Sequence, residues 1–242
     1  MLTGPGTSVE SGISPRQGPN SPWSRFNPSE VASQTPLSDS EIRRLLLQRV
    51  VEDNKQLLKA QPNAAHLAIS ELGKLGLLDC LITQNADDLH RRAGSSPEKT
   101  LELHGNATYL KCQDCARRYD LEQIVTLIRR ADREVPGCES CGGVLKSATL
   151  ARGDQLPEWE MRESAERSRY ADVFLVVGTS LRVYPAAFLP RIAVEGGAKL
   201  IIVNLNGSTM DNRADVVLKG NAGEIMPLVV KRVKERLKEG GM

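Results

Sequence analysis

Residues 173–204 read VFLVVGTSLRVYPAAFLPRIAVEGGAKLIIVN. Five uninterrupted apolar residues, 173–177, predict a strand buried on both faces, and Gly178-Thr179-Ser180 ends it. Residues 186–194 carry apolar positions at helical spacing, and Gly196-Gly197 stops them. A second apolar run, 200–203, closes on Asn204. Strand, helix, strand with short polar connections predicts a parallel pair joined by a crossover helix, the unit of an α/β sheet covered on both faces.

The same alternation extends in both directions. Downstream, 216–218 predicts a strand and 222–237 an amphipathic helix. Upstream, 158–170 predicts a helix, 100–103 a strand, 86–92 a short helix and 78–83 a buried strand. Residues 65–75 form a helix in this reading, ended by Gly76. A helix over 38–60 has Ser38 or Asp39 as its cap and Ile42, Leu45, Leu46, Arg49 and Val50 at helical spacing. Residues 1–36 are rich in Gly, Ser and Pro and read as a disordered tail or a long functional loop. No internal repeat is present.

Composition narrows the function classes. The chain has 242 residues, enough for one large core or one core with a small satellite. Lys and Arg number 32 against 30 Asp and Glu, a net +2, so bulk charge gives no direct nucleic-acid footprint. No apolar run is long enough to span a bilayer, and the opening MLTGPGTSVESG lacks the basic and apolar regions of a secretory signal. The expected setting is the cytoplasm or another reducing compartment. Five cysteines are too few for a disulfide scaffold. Cys80, within an apolar stretch, reads as a small core residue.

The other four cysteines interrupt the α/β pattern. Cys112-x2-Cys115 and Cys138-x2-Cys141 are 22 residues apart. Each pair places two thiolates on one tight knuckle, and two knuckles complete a tetrahedron around one structural Zn2+. A helix over 121–131 accounts for the length of the connection. The competing reading is a redox pair or unrelated core thiols. Four thiolates fill the zinc shell, so the metal would stabilise the fold and leave catalysis to be found elsewhere.

In open parallel sheets, ligands bind at the carboxyl ends of the strands. Four segments offer small or polar residues there: Thr3-Gly4-Pro5-Gly6-Thr7-Ser8, Thr83-Gln84-Asn85-Ala86-Asp87, Gly178-Thr179-Ser180 and Asn204. Each alone is as well explained by a turn or a helix cap. Their joint placement after predicted strands points to a nucleotide. His104, in Glu102-Leu103-His104-Gly105, stands just after a predicted strand and before the cysteine module. That position favours catalysis over a purely structural role.

Taken in order, Thr83–Gln84–Asn85–Ala86–Asp87–Asp88–Leu89–His90, Glu102–Leu103–His104–Gly105, the two cysteine pairs, Gly178–Thr179–Ser180–Leu181 and Val203–Asn204 resemble the sirtuins. Pro62-Asn63-x2-His66 and Ala222-Gly223-Glu224-Ile225 fit as well, and the resemblance spans about residues 2–237. It implies a doubly wound parallel (Rossmann-like) sheet with a small zinc-ribbon plus helical domain. The large domain would comprise 1–20, 61–106 and 148–242, and the small one 21–60 and 107–147. It implies an NAD-dependent protein-lysine deacylase that yields nicotinamide, free lysine and O-acyl-ADP-ribose, with an acyl-lysine protein or peptide as partner. By the same resemblance His104 is the general base, a role suited to a residue type that titrates near neutrality. Asn85 would position a water or the ribose, Asp87 the nicotinamide carboxamide, and Gln84 the ribose. Gly4, Gly6, Ser8, Gly178, Thr179, Ser180, Asn204 and Ala222 would complete the NAD site.

The chain departs from the family at its first loop. Gly4-Pro5-Gly6-Thr7-Ser8 stands for GAGIS, and Pro5 removes a backbone N–H. Arg16 and Gln17 stand where the family has Phe and Arg, and 149–154 replace a strand ending Phe-Gly-Glu. The chain also opens almost at the Thr-Gly of the loop, which leaves little of a first strand. These departures keep two rival readings in view. One is an NAD- or ADP-ribose-binding protein with little catalysis. The other is NAD hydrolysis or mono-ADP-ribosyl transfer.

Overall fold

The structure is a computed structural model that describes residues 1–13, 47–48, 50–51, 54, 57–131, 135–150 and 155–240. Six parallel strands form the main sheet: β1 (Leu2–Thr3), β2 (Leu81–Thr83), β3 (Thr100–Glu102), β7 (Val173–Val177), β8 (Lys199–Asn204) and β9 (Val216–Lys219). Their spatial order is β3-β2-β1-β7-β8-β9. This is the doubly wound order, in which the winding reverses between the first strand and the fourth, and the reversal opens a crevice at their carboxyl ends. Here the crevice lies between β1 and β7, where Thr3 pairs with Val177 and both strands run on into glycine.

Two cores cover the two faces of the sheet. On one, Leu2, Ile82, Leu103, Phe174, Val176 and Leu200 pack with α5 (Leu189–Glu195), and α4 (Glu158–Arg169) lies over them. On the other, α1 (Ala64–Lys74) packs on α6 (Ala222–Glu239) through Ile69, Leu72, Met226 and Val230. Each such aliphatic side chain contributes about 1.5–3 kcal/mol on burial. α1 begins at Asn63, whose Oδ1 accepts from Ala65 N at 2.9 Å. It ends at Gly76, where Leu77 N reaches back to Leu72 O.

A second, antiparallel sheet holds the cysteines, in the order β5-β4-β6. Its strands are β4 (Gly105–Cys112), β5 (Arg118–Asp120) and β6 (Leu145–Thr149), and α3 (Leu121–Arg130) packs against it. Asp120 and Gln123 cap that helix reciprocally. Leu47 and Val51, both helical, are buried in this core with Leu110, Tyr119 and Ile124.

Several boundaries differ from the sequence reading. Residues 1–13 are neither tail nor open loop, because Leu2 and Thr3 form the central strand and 3-10 turns follow at Pro5–Thr7 and Val9–Ser11. The short helix α2 (Leu89–Arg92) starts three residues later than the expected 86, because Asp88 is left-handed and side-chain hydrogen bonds hold 84–88 as a loop. The expected helix 186–194 begins as a 3-10 turn, Ala186–Phe188, ahead of Pro190. The zinc-ribbon that the resemblance implied is present as three antiparallel strands, whose bounds the residue pattern did not predict because it is half-exposed and broken by Lys111, Arg118 and Lys146. Arg16 and Gln17 lie outside the described residues, as do the first turns of the predicted helix 38–60 and positions 151–154. Among the described residues, no helix is long and apolar enough to cross a membrane.

Candidate active site and metal centre

The crevice is built by two loops locked together. Gly4 N donates to Val177 O at 3.0 Å and Gly6 N to Gly178 O at 2.8 Å. Gly178 has φ +66°, and a Cβ there would lie 2.3 Å from Thr7 N. A Cβ on Gly6 would lie 2.8 Å from Gly178 O. The backbones therefore touch at a distance only glycine permits. Thr7 Oγ1 adds a bond to Val177 O at 3.1 Å. Pro5 costs this contact nothing, since the bonds come from residues 4, 6 and 7.

Ser8 is the node behind this loop. Its hydroxyl donates to Asp87 Oδ2 at 2.6 Å. Its one proton is used there, so Asn85 Nδ2 at 3.1 Å and His66 Nε2 at 3.3 Å donate to the Ser8 oxygen. Asn85 Nδ2 also reaches Gly4 O at 3.1 Å, and Asn63 Nδ2 reaches Thr7 O at 2.8 Å. Burial pushes the Asp87 carboxyl above its ordinary range, opposed by the hydrogen bonds from Ser8 and from Leu89 N. Burial holds His66 down to about 4. Its neighbour His90, with ring centroids 4.8 Å apart, is held down to about 3 by burial and by His66. His90 Nε2 lies 2.9 Å from Thr3 Oγ1, which donates to Thr83 Oγ1, and Thr83 in turn accepts from Asn85 N.

Gln84 and His104 form the far wall. Gln84 Oε1 accepts from Thr179 Oγ1 at 2.9 Å, tying the loop after β2 to the loop after β7. His104 is half-buried, and its Nδ1 lies 2.8 Å from Gln84 O. A carbonyl only accepts, so Nδ1 carries the proton and the basic lone pair of the neutral ring is on Nε2.

Gln84, Asn85, Asp87, His104, Gly4, Gly6, Ser8, Gly178 and Thr179 thus belong to one hydrogen-bonded constellation, with Ser180 following on the same loop. Asn204 stands at the carboxyl end of β8, its amide turned to Asn206 O. Ala222 is buried in the core shared by α1 and α6. Sequence reasoning assigned no role to Asn63, Thr3, Thr83 or His90. Asn63 was legible as a helix cap, but nothing local to it announces the bond to Thr7.

The four cysteine Sγ atoms all lie within 4.8 Å of one another. Cys112 to Cys141 is 3.5 Å and Cys115 to Cys138 is 3.6 Å. A zinc–sulfur distance of about 2.3 Å sets the edge of a tetrahedron near 3.8 Å, so the donor set fits one zinc ion. Tyr119 OH, 3.1 Å from Cys138 Sγ, and Ser140 N, at 3.4 Å, supply the outer hydrogen bonds such thiolates need.

Comparison with known proteins places this arrangement. The model of the Sir2 family matches residues 4–185. The chain belongs to the Sir2 family. It is 40% identical over 241 residues to an NAD-dependent protein deacylase of Thermococcus kodakarensis, covering 98% of this chain and 91% of that one. It is 41% identical over 235 residues to NAD-dependent protein deacylase 2 of Archaeoglobus fulgidus, covering 97% and 90%. A mutant Sir2 homologue solved with ADP ribose superposes with a TM-score of 0.85 at 35% identity, covering 98% of this chain and 92% of that one. A Sir2 solved with a deacetylated peptide and 3'-O-acetyl ADP ribose superposes with a TM-score of 0.81 at 33% identity, covering 96% and 91%. As a Sir2 protein, the chain keeps the family's two bodies, a parallel dinucleotide-type sheet and a cysteine-bearing module, with His104 where they meet.

Proposed function

We propose that this Sir2 protein is an NAD-dependent protein-lysine deacylase. One observation carries the reading: His104 is held through Nδ1 by Gln84 O, beside the loop that presents Asn85 and Asp87. A module that only bound nucleotide would have no use for a histidine oriented in this way. The glycine-locked crevice at the sheet reversal, lined by buried Asn85, Asp87 and Gln84, suits a dinucleotide. When bound, NAD supplies the ribose carbon that accepts the acyl-lysine oxygen as nicotinamide departs.

The chain's own residues do the remaining work. His104 Nε2 removes a proton from a ribose hydroxyl, the step that moves the acyl group from lysine to sugar. Asp87, fixed by Ser8 and Leu89 N, offers an acceptor to the nicotinamide carboxamide. Asn85 orders a water or the ribose, and Gln84 contacts the ribose. Gly4, Gly6, Gly178, Thr179, Ser180, Asn204 and the backbone of Ala222 line the rest of the NAD site. The body formed by 1–20, 61–106 and 148–242 holds the nucleotide, and that formed by 21–60 and 107–147 holds the zinc. The acyl-lysine segment of a protein substrate enters between them. The setting is a reducing, cytoplasmic one in which the four thiolates stay available for zinc, without membrane or direct nucleic-acid contact.

The test is incubation with NAD and an acetyl-lysine peptide, following nicotinamide, free lysine and O-acetyl-ADP-ribose together by mass spectrometry. Equal release of all three is the expected result. Nicotinamide alone would replace this reading with NAD hydrolysis or ADP-ribosyl transfer, and binding of NAD without products would leave a binding module.

A further inference from the structure

Asp88 follows the loop of Gln84, Asn85 and Asp87, and its backbone is left-handed, with φ 65° and ψ 6°. That conformation is costly for every residue but glycine, although Asp tolerates it better than most. Asp88 stands at the head of α2, where a carboxylate would ordinarily cap the first turn, yet it makes no such bond. Asp87 Oδ1 takes the Leu89 N–H instead.

The Asp88 carboxylate is directed elsewhere. Arg91 grips it with both arms of the guanidinium, Nε to Oδ1 at 2.8 Å and Nη2 to Oδ2 at 2.5 Å. Asn106 Nδ2 donates to Asp88 Oδ1 at 3.2 Å and to Glu102 Oε1 at 2.8 Å. Asn106 Oδ1 accepts from Thr108 N at 2.9 Å and Thr108 Oγ1 at 2.7 Å. All four hydrogen-bonding positions of this buried amide are used, and the two carboxylates fix which way it points. Asn106 is the second residue of β4, the strand that runs on to Cys112. Beside it, Ala107 N donates to Ala86 O at 2.7 Å. Among the described residues, a backbone bond and a side-chain node therefore join the site loop to the cysteine-bearing sheet. A glycine would satisfy the backbone at 88 with less strain, so an aspartate held in this conformation by three bonds to its carboxylate points to a task for that carboxylate.

We propose that Asp88 is a positioning residue: gripped by Arg91 and Asn106, it clamps the loop carrying Gln84, Asn85 and Asp87 onto the start of β4 and so holds Asn85 in register with His104. The kinetic consequence rests on the deacylase reading; the clamp itself does not.

The test compares Asp88→Gly and Asp88→Asn with the full wild-type chain by thermal unfolding, hydrogen exchange, ADP-ribose binding and turnover of NAD with an acetyl-lysine peptide. Glycine relieves the left-handed strain but loses the carboxylate's bonds, so Asp88→Gly unfolds only a few degrees below the wild type. Exchange at the Asn85 and Ala107 amides rises about tenfold, and kcat falls about tenfold, as expected when a charged hydrogen-bond network is lost. ADP-ribose affinity changes by less than about twofold, the range of an uninvolved site. Asp88→Asn keeps an acceptor for Asn106 and most of the activity. Wild-type exchange and kcat in Asp88→Gly would overturn the proposal. So would parallel losses of stability and ADP-ribose binding, or an Asp88→Asn variant no better than Asp88→Gly. If the wild type releases no nicotinamide, the deacylase reading fails, and the exchange and unfolding measurements still decide the clamp.

Discussion

His104 Nδ1 and the Gln84 carbonyl oxygen lie 2.8 Å apart, joining the end of β3 to the loop after β2. The contact assigns the ring proton to Nδ1 and leaves the basic lone pair of the neutral ring on Nε2, the atom that the deacylase proposal uses as the base. Replacing His104 by Ala is expected to lower kcat by about 100- to 10,000-fold, the usual worth of a positioned base. ADP-ribose affinity, measured by calorimetry, should stay near wild type. Turnover at the wild-type rate in this variant would remove His104 from the mechanism.

The two buried histidines make stability depend on pH. His66 and His90 are held at about 4 and about 3 when folded, against 6.5 when free. A depressed folded pKa means that the unfolded chain takes up protons first, so stability is present above pH 6.5 and is lost as the pH falls toward 4 and then 3. Between pH 7 and 5 each ring withdraws about 2 kcal/mol. Urea unfolding midpoints should fall across that interval, and His90→Gln should show a smaller fall. A midpoint independent of pH from 7 to 5 would contradict this.

Two left-handed glycines should respond differently to alanine. At Gly178 the added Cβ meets Thr7 N at 2.3 Å, whereas at Gly197, with φ +99°, nothing lies within 4 Å. Gly197→Ala carries the backbone penalty alone, about 1–2 kcal/mol. Gly178→Ala must also force the two site loops apart and should cost about 3 kcal/mol or more. Calorimetry of the pair checks the order, and equal losses would mean that the loops part freely.

Atomic absorption on the purified chain should find one zinc per molecule. Stripping it with a strong chelator should speed hydrogen exchange across β4, β5 and β6, because the small core around Leu110, Tyr119 and Ile124 has few partners of its own. The main sheet should exchange as before. Retained protection in the metal-free protein would show that this core stands without the ion.

Much of this was legible along the chain. The runs at 173–177 and 200–203 are buried on both faces, and such strands announce themselves as unbroken apolar segments. The cysteine spacing announced the metal centre for a similar reason, since a knuckle is a local object. The antiparallel strands β4, β5 and β6 escaped because their pattern is half-exposed and broken by Lys111, Arg118 and Lys146. The central strand escaped because two residues, Leu2 and Thr3, are too few to show a period.

The alternation of strands and helices from 158 to 237, the two cysteine knuckles and the polar character of the strand ends were determined by sequence alone, because each depends on residues within a few positions of one another. Tertiary structure decided the site itself. Ser8 meets Asp87 across 79 positions, Thr179 meets Gln84 across 95, and Gly6 meets Gly178 across more still. Each of these bonds forms only because the sheet order sets β1 between β2 and β7, with their carboxyl ends together. The carboxylate of Asp88 reaches Asn106 as well as Arg91 because a strand of the second sheet starts there, and no local pattern encodes that neighbour.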